Sequence, residues 1–291
     1  MDGVLIVNKP AAWTSHDVVQ KARGILRERR IGHTGTLDPL ATGVLVLCVG
    51  RATRIAKYLE AQDKEYRAVM RLGVVTDTLD KDGAVLEQRS YDPPSRERIA
   101  DVMRSFLGEQ TQRPPAYSAL KVKGVPSYRL ARAGKAVELA PRTVTIRRIE
   151  LASSEDPFIE FSVQCSKGTY VRTLCADIGE ALGTGAHLTA LERIKSGAFR
   201  IDTAHTLAEI EAARDAGALP GLLITLDQAL ADLPLVQLED RDARRVSQGN
   251  RIPWKSDSES PQYVRVRNPE GLLLAVARTG GGTLRPETVF S

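Results

Sequence analysis

The string Gly32-His33-Thr34-Gly35-Thr36-Leu37-Asp38-Pro39-Leu40-Ala41-Thr42-Gly43 concentrates the chemistry of this sequence. Its three glycines permit backbone conformations closed to other residues, and Pro39 pushes Asp38 away from the α region. Asp38 is the carboxylate at the centre. With an ordinary pKa of about 3.9 it is ionised at neutral pH, able to act as nucleophile or base. Taken alone, Leu-Asp-Pro reads as a turn whose aspartate bonds the backbone. A second concentration is charge. Residues 113–148 hold nine basic side chains and one acid, Glu138, whereas the whole 291-residue chain has a net charge of only +5. Such a stretch on a near-neutral body is either a polyanion contact or a solvated, arginine-rich loop.

These groups need elements to hold them. Val4–Val7 reads as a core strand, and Leu45–Val49, bounded by Gly43 and Gly50, as a fully buried one. Thr14 or Ser15 can cap a helix with Val18, Val19, Ala22, Ile25 and Leu26 on one face. A short helix is expected over 53–61, and Tyr66–Leu72 alternates as a strand does. Asp82-Gly83 turns into a partner strand near Val85, and Ser95 caps a helix bearing Ile99, Val102, Met103 and Phe106. Prolines and glycines between 114 and 141 mark an excursion from the core. Strands are expected at 144–151 and 158–165, then a helix from Thr169 to Gly183, and another after the Thr206/Glu209 capping box. From Leu233 the texture becomes β-rich, with strands at 235–238, 263–266 and 272–277 and a helix at 240–246. The fold class is therefore α+β.

Composition narrows the function classes. The chain is 42% hydrophobic and 26% charged, which excludes collagen, coiled coil and extended disorder. No apolar run reaches the roughly 18 residues of a membrane span. Cys48, Cys165 and Cys175 contain no Cys-x-x-Cys pair, which argues against a disulfide framework or structural zinc. No signal-peptide pattern opens the sequence, so a cytoplasmic location is expected. The Asp77, Asp80, Asp82 run lacks the later glutamate of a calcium loop. No Walker loop or dinucleotide fingerprint occurs.

Taken together, the motifs resemble the TruB-type pseudouridine synthases. The Gly32–Gly43 string carries that resemblance first. Others follow in order: Val7-Asn8-Lys9-Pro10 with Thr14-Ser15; Asp63–Arg67 with Arg71-Leu72-Gly73; Thr76-Asp77-Thr78 and Asp80-x-Asp82-Gly83. Gln112–Lys121, Cys165–Leu174 and Gly185-Ala186-His187-Leu188 complete the series. One departure is Ala12, where the family usually has glycine.

The resemblance implies a pseudouridine synthase fold over residues 1–232. It has a central mixed, largely antiparallel sheet flanked by helices and loops, followed by a small PUA-like β-barrel domain over 233–291. It implies isomerisation of uridine 55 in the T-loop of tRNA, without cofactor or metal, by a stand-alone, monomeric protein needing no protein partner. Asp38 corresponds to the family's essential aspartate, and Arg172 is its matched cation. Tyr66 matches the residue that stacks on the flipped base; Tyr170 and Leu191 match the uracil pocket. His33 matches a histidine that approaches the RNA loop, and Lys9 is expected to buttress the catalytic loop. Residues 113–143 match a mobile thumb, with Lys121, Lys123, Arg129 and Arg132 expected to meet RNA phosphates. Two alternatives stand beside this: a guide-RNA-dependent synthase, and an RNA-binding or RNA-folding protein without catalysis.

Overall fold

The structure, a computed structural model, describes all residues except 119, 123, 134, 136–138, 256–260 and 291, with only the backbone described at 121, 126, 128 and 132. The chain begins with β1 (Gly3–Lys9), α1 (Ser15–Leu26), β2 (Ile31–His33), β3 (Thr42–Val49), α2 (Ala56–Glu60) and β4 (Lys64–Leu72). It continues through β5 (Val74–Thr76), β6 (Val85–Gln88), α3 (Arg96–Ser105) and β7 (Gly108–Gln112). The basic segment folds as β8 (Lys121–Val122), β9 (Val125–Pro126) and α4 (Ser127–Arg132). Then come β10 (Arg142–Glu155), β11 (Phe158–Cys165), α5 (Val171–Leu182), β12 (Ala186–Ser196), β13 (Phe199–Arg200), α6 (Leu207–Asp215) and α7 (Leu226–Ala229). The last are β14 (Leu235–Gln237), α8 (Asp240–Ser247), β15 (Ile252–Pro253), β16 (Tyr263–Arg267), β17 (Leu273–Gly280) and β18 (Thr283–Val289).

Among the described residues the main sheet runs β1-β3-β12-β4-β11-β10-β7, with β2 on β3 and β13 on β12. Every pairing is antiparallel except β3 with β12. Hydrophobic pattern explains which strands are central. In β3, Val44, Val46 and Cys48 pack on one side and Leu45, Leu47 and Val49 on the other, so a continuous apolar run is buried on both faces. In β4 the alternation puts Tyr66, Ala68, Met70 and Leu72 into the core cluster shared with α3 and α5. The capped helix start is at Thr14, whose side chain accepts from the Asp17 amide while Asp17 reaches back to the Thr14 amide.

Three differences from the sequence expectation have physical causes. Residues 50–55 form a 3-10 turn before α2, giving one tightened element where a single helix was expected. The basic excursion contains a hairpin of two-residue strands and the six-residue α4, within its proline-rich frame. β12 carries no clean alternation because its register against β4 shifts twice, between Leu188 and Ala190 and between Arg193 and Lys195.

The C-terminal residues form a five-stranded half-barrel sheet in the order β14-β16-β17-β18-β15, closed by α8 over Ala243 and Val246. It is fixed to the main body. Val276 and Phe290 pack with Val4, Ile6 and Val46, the Tyr58 and Tyr263 rings meet edge to face at 5.2 Å, and Lys57 pairs with Glu287 at 3.0 Å. No helix among the described residues is long and apolar enough to cross a membrane.

Candidate active site

The loop between β2 and β3 is tied down along its length. The Thr34 amide donates to the Val46 carbonyl at 3.0 Å and the Ala41 amide to the Asp38 carbonyl at 3.0 Å. Ser15, in the first turn of α1, accepts from the Leu37 amide at 2.8 Å and donates to its carbonyl at 3.2 Å. Beneath the loop, Lys9 is fully buried. Its ammonium donates to the carbonyls of Pro10 (2.9 Å), Trp13 (2.6 Å) and Pro39 (3.2 Å). Burial pushes the Lys9 pKa down to about 8. The Ala12 amide donates to the Pro39 carbonyl at 2.9 Å. That bond holds Ala12 at φ 65°, a left-handed conformation costly for a residue with a Cβ. Gly43 is required on two counts: its φ is +96°, and a Cβ there would sit 2.3 Å from the Arg193 carbonyl oxygen.

Asp38 sits at the mouth of this loop with its side chain 29% exposed, and the Arg172 side chain behind it is only 4% exposed. Arg172 Nε lies 2.9 Å from Asp38 Oδ2, and Nη2 donates to Oδ1 at 3.1 Å. The rest of the guanidinium is fully occupied. Nη1 donates to the Thr78 carbonyl at 3.0 Å and reaches Asp80 Oδ2 at 3.3 Å; Nη2 donates to the Tyr117 carbonyl at 2.9 Å. Burial raises the Asp38 carboxyl above the ordinary 3.8, with the Asp80 charge adding to the rise and Arg172 pulling against it. The guanidinium opposes that rise and favours the charged form of the carboxyl where water is partly excluded. Two carboxylates share one fixed cation, and only one of them faces outward.

What Asp38 faces is a cavity of about 780 Å³. Tyr66 from β4, Leu191 and Arg193 from β12, Tyr170 at the start of α5, and Lys64 from β4 line it with Asp38. Tyr66 is 8% exposed and Leu191 7%, so each is core on one side and wall on the other. Tyr170 is the N-cap residue of α5. Its amide donates to Gln112 Oε1 at 2.7 Å, and Gln112 Nε2 donates back to its carbonyl at 3.0 Å. The Arg142 guanidinium lies 4.6 Å above the Tyr170 ring. A partly apolar cavity with aromatic walls, lined by Asp38 and with Glu60 exposed at its rim, suits a planar base presented to an acid.

Comparison with known proteins agrees with this chemistry. Residues 23–171 match the model of the TruB family pseudouridylate synthase N-terminal domain. Residues 172–231 match that of the tRNA pseudouridylate synthase B C-terminal domain. The chain belongs to this family. A protein of Thiobacillus denitrificans named tRNA pseudouridine synthase B is 45% identical over 294 residues, covering 100% of this chain and 96% of the relative. One of Ralstonia nicotianae with the same name is also 45% identical, covering 98% and 93%. Among solved structures, an H/ACA RNP bound to a substrate RNA containing 2′-deoxyuridine superposes with TM-score 0.76 at 26% identity, over 99% of this chain and 85% of that one. A Cbf5-Nop10-Gar1 complex gives 0.76 at 28%, with the same coverage. The family's fold is thus that of the main sheet and its helices.

Of the residues singled out in the sequence, Asp38, Tyr66, Tyr170 and Leu191 line one cavity, with Arg172 directly behind Asp38. Lys9 lies under the loop, and His33, at the end of β2, is half-buried; neither lines the cavity. The His33 Nδ1 is buried without a hydrogen-bond partner, and burial lowers the ring's pKa. In the basic segment Lys121 lies on β8, and Arg129 and Arg132 lie on α4, with Arg129 exposed. Lys123 lies outside the described residues. Three residues of the site were not anticipated. Asp80 stood in a motif of the resemblance but reads locally as part of an acidic run; its Oδ1 accepts from Thr78 and the Asp82 amide while Oδ2 meets Arg172. Lys64 likewise stood in a motif of the resemblance, two residues from Tyr66, without a role assigned to it, and Arg193, which pairs with Tyr66 across the sheet, carries no local signal.

Proposed function

We propose that this chain converts uridine 55 in the T-loop of tRNA to pseudouridine, acting alone. The observation that carries the reading is Asp38, paired with buried Arg172 and lining a cavity together with Tyr66, Tyr170 and Leu191. In a folded T-arm the target base is stacked, so it must turn out of the loop to reach a carboxylate at this depth. Tyr66 then stacks on the flipped ring, and Tyr170 and Leu191 enclose it. Asp38 acts as nucleophile or base while the C1′–N1 bond breaks, the base turns, and C5 joins C1′. N1 gains a proton and C5 loses one, so the reaction is an isomerisation that consumes no oxidant and no second substrate.

The remaining assignments follow the same reading. Lys9 fixes the carbonyl of Pro39 and so the aim of Asp38, and His33 supports the displaced RNA loop from beside the cavity. Residues 113–143, with Lys121, Lys123, Arg129 and Arg132, form a thumb that closes on the RNA stem and is ordered by phosphate. Residues 233–291 act as a PUA-like RNA-binding domain beside the catalytic residues 1–232, and the protein works as a monomer.

The test is purified protein with an unmodified T-arm hairpin and no other RNA or protein. Pseudouridine at the single loop position is the expected result. An unchanged hairpin that becomes modified only when a guide RNA and partner proteins are added would transfer the chain to the guide-dependent class.

A further inference from the structure

The cavity that Asp38 lines also holds positive charge in an unusual state. Arg193 is 1% exposed and is the largest fully buried side chain among the described residues. Its Nε donates to the Val44 carbonyl at 2.7 Å and its Nη2 to the Gly35 carbonyl at 3.1 Å. No carboxylate among the described residues pairs with it. Lys64 is 6% exposed, and its ammonium donates to the carbonyls of Glu60 and Gln62. Both side chains line the 780 Å³ cavity. Lys64 and Tyr66 occupy the same face of β4, and Arg193 pairs with Tyr66 from β12, so the two cations flank the tyrosine.

Carbonyl dipoles satisfy hydrogen bonds but do not neutralise charge, and a buried cation without a counter-ion is costly. The surroundings add to the strain. Arg193 repels Lys9, Lys64 and the His33 ring, and it lowers the pKa of each. Burial together with this repulsion pushes Lys64 down to about 8. Two acids act on Lys64 from nearby: Asp63, which pairs with Arg147, and Glu60, exposed at the cavity rim and forming no ion pair among the described residues. Lys57, by contrast, is already matched by Glu287, and Arg142 is stacked on Tyr170. Lys167 also lines the cavity but is exposed to water, so Lys64 and Arg193 are the buried cations of the cavity without a carboxylate partner among the described residues.

We propose that Lys64 and Arg193 form a phosphate site inside the cavity, taking one backbone phosphate beside the flipped uridine while Tyr66, between them, receives the base. This rests on the pseudouridine synthase reading and adds to it a contact that anchors the flipped nucleotide by its backbone. Binding of the phosphate supplies the missing counter-charge, so the energy stored in an uncompensated corner is released only when a nucleotide has left the stack. A base that stays in the RNA loop keeps its phosphate outside and gains nothing. The pair thus favours the extruded state over the stacked one.

The experiment uses T-arm hairpins in which one linkage at a time near the target uridine is a neutral methylphosphonate. Binding is measured for the wild-type protein and for Lys64→Gln. A charge-assisted contact of this kind is worth about tenfold in affinity. We expect about a tenfold loss for wild type at one linkage adjoining the uridine, and a similar loss for Lys64→Gln on the unmodified hairpin. At that linkage alone the two losses should not multiply. Lys64→Arg, which keeps the charge, should retain both the affinity and the sensitivity. Losses that multiply at every linkage, or no loss in Lys64→Gln, would overturn the proposal; a role confined to capping the Glu60 and Gln62 carbonyls would weaken all linkages alike. Should Lys64→Gln fail to fold, Lys64→Arg and wild type still decide the matter, because absence of any sensitive linkage refutes the site. Turnover of the unmodified hairpin by wild type reports separately on the functional reading.

Discussion

The two charged corners of this cavity are organised in opposite ways. At one, a single guanidinium, Arg172, meets two carboxylates, Asp38 and Asp80, and two carbonyls. At the other, Arg193 and Lys64 donate to backbone carbonyls, with the Tyr66 hydroxyl beside Arg193, and no carboxylate among the described residues pairs with either. The first corner has its counter-charges in place without RNA, and its cation favours the ionised form of the one outward-facing carboxylate. The second is complete only when an anion enters. Catalytic charge is pre-arranged; binding charge is left to be matched by the substrate. That division explains why the loop bearing Asp38 is tied at Thr34, Leu37, Pro39 and Ala41, while the basic segment 113–148 concentrates its charge in a stretch rich in proline and glycine.

The comparison predicts unequal damage. Arg172→Met leaves Asp38 and Asp80 buried against each other without a cation, and breaking a buried pair in this way costs about 3–5 kcal/mol. Denaturant unfolding should show that loss, and turnover should fall at least about a hundredfold. A variant as stable as wild type would mean that the completed corner is not electrostatically coupled. Next in size is Tyr66 on the wall between the corners. Base–aromatic stacking is worth about 1–3 kcal/mol, so Tyr66→Leu should lose about ten- to a hundredfold in turnover and Tyr66→Phe only a few-fold. Equal losses would move the role to the hydroxyl, beside Arg193.

A smaller effect comes from Lys9 beneath the loop. Its folded pKa of about 8 lies below the ordinary 10.5 of a lysine, so between those values the unfolded chain binds more protons and stability rises with pH. The contribution is fully present above 10.5 and is lost as pH falls through about 8. Subtracting the unfolding free energies of Lys9→Met from those of wild type across pH 7 to 11 should show that rise, and a flat difference would contradict it. The smallest effect is Ala12→Gly. Relieving φ 65° at a residue with a Cβ should stabilise the protein by about 0.5–1 kcal/mol, or roughly 2 °C in Tm for a chain of this size. Because the Ala12 amide holds the Pro39 carbonyl, turnover should change little.

The sequence was most informative where one pattern acts locally. The apolar run of β3, the alternation of β4, a helix cap at Thr14 or Ser15 and the capping box at Thr206 are short-range signals; the structure contains each, with Thr14 as the cap. Asp38 stood out because glycines and a proline surround it; its partner was found through resemblance, since 134 residues separate Arg172 from it in the chain. What local patterns concealed lies mostly on β12. Two register shifts break its alternation, so neither its strand character nor the inward aim of Leu191 and Arg193 can be read from period two. Asp80 was hidden differently: among Asp77 and Asp82 it looks like one acid of a solvated run, and only the tertiary path of Arg172 singles it out. Buried cations held by carbonyls, such as Lys64 and Arg193, have no sequence signature, because their partners are backbone atoms available at any residue type.

The account stands on Asp38 as the group that acts on the uridine. Asp38→Asn keeps the shape of the side chain and removes its charge, so single-turnover conversion of the T-arm hairpin, with binding measured alongside, tests it most directly. The prediction is a hairpin bound within about threefold of wild type and conversion at least several orders of magnitude slower, as expected when several kcal/mol of transition-state stabilisation are lost. Conversion above about one per cent of the wild-type rate, with binding intact, would contradict it.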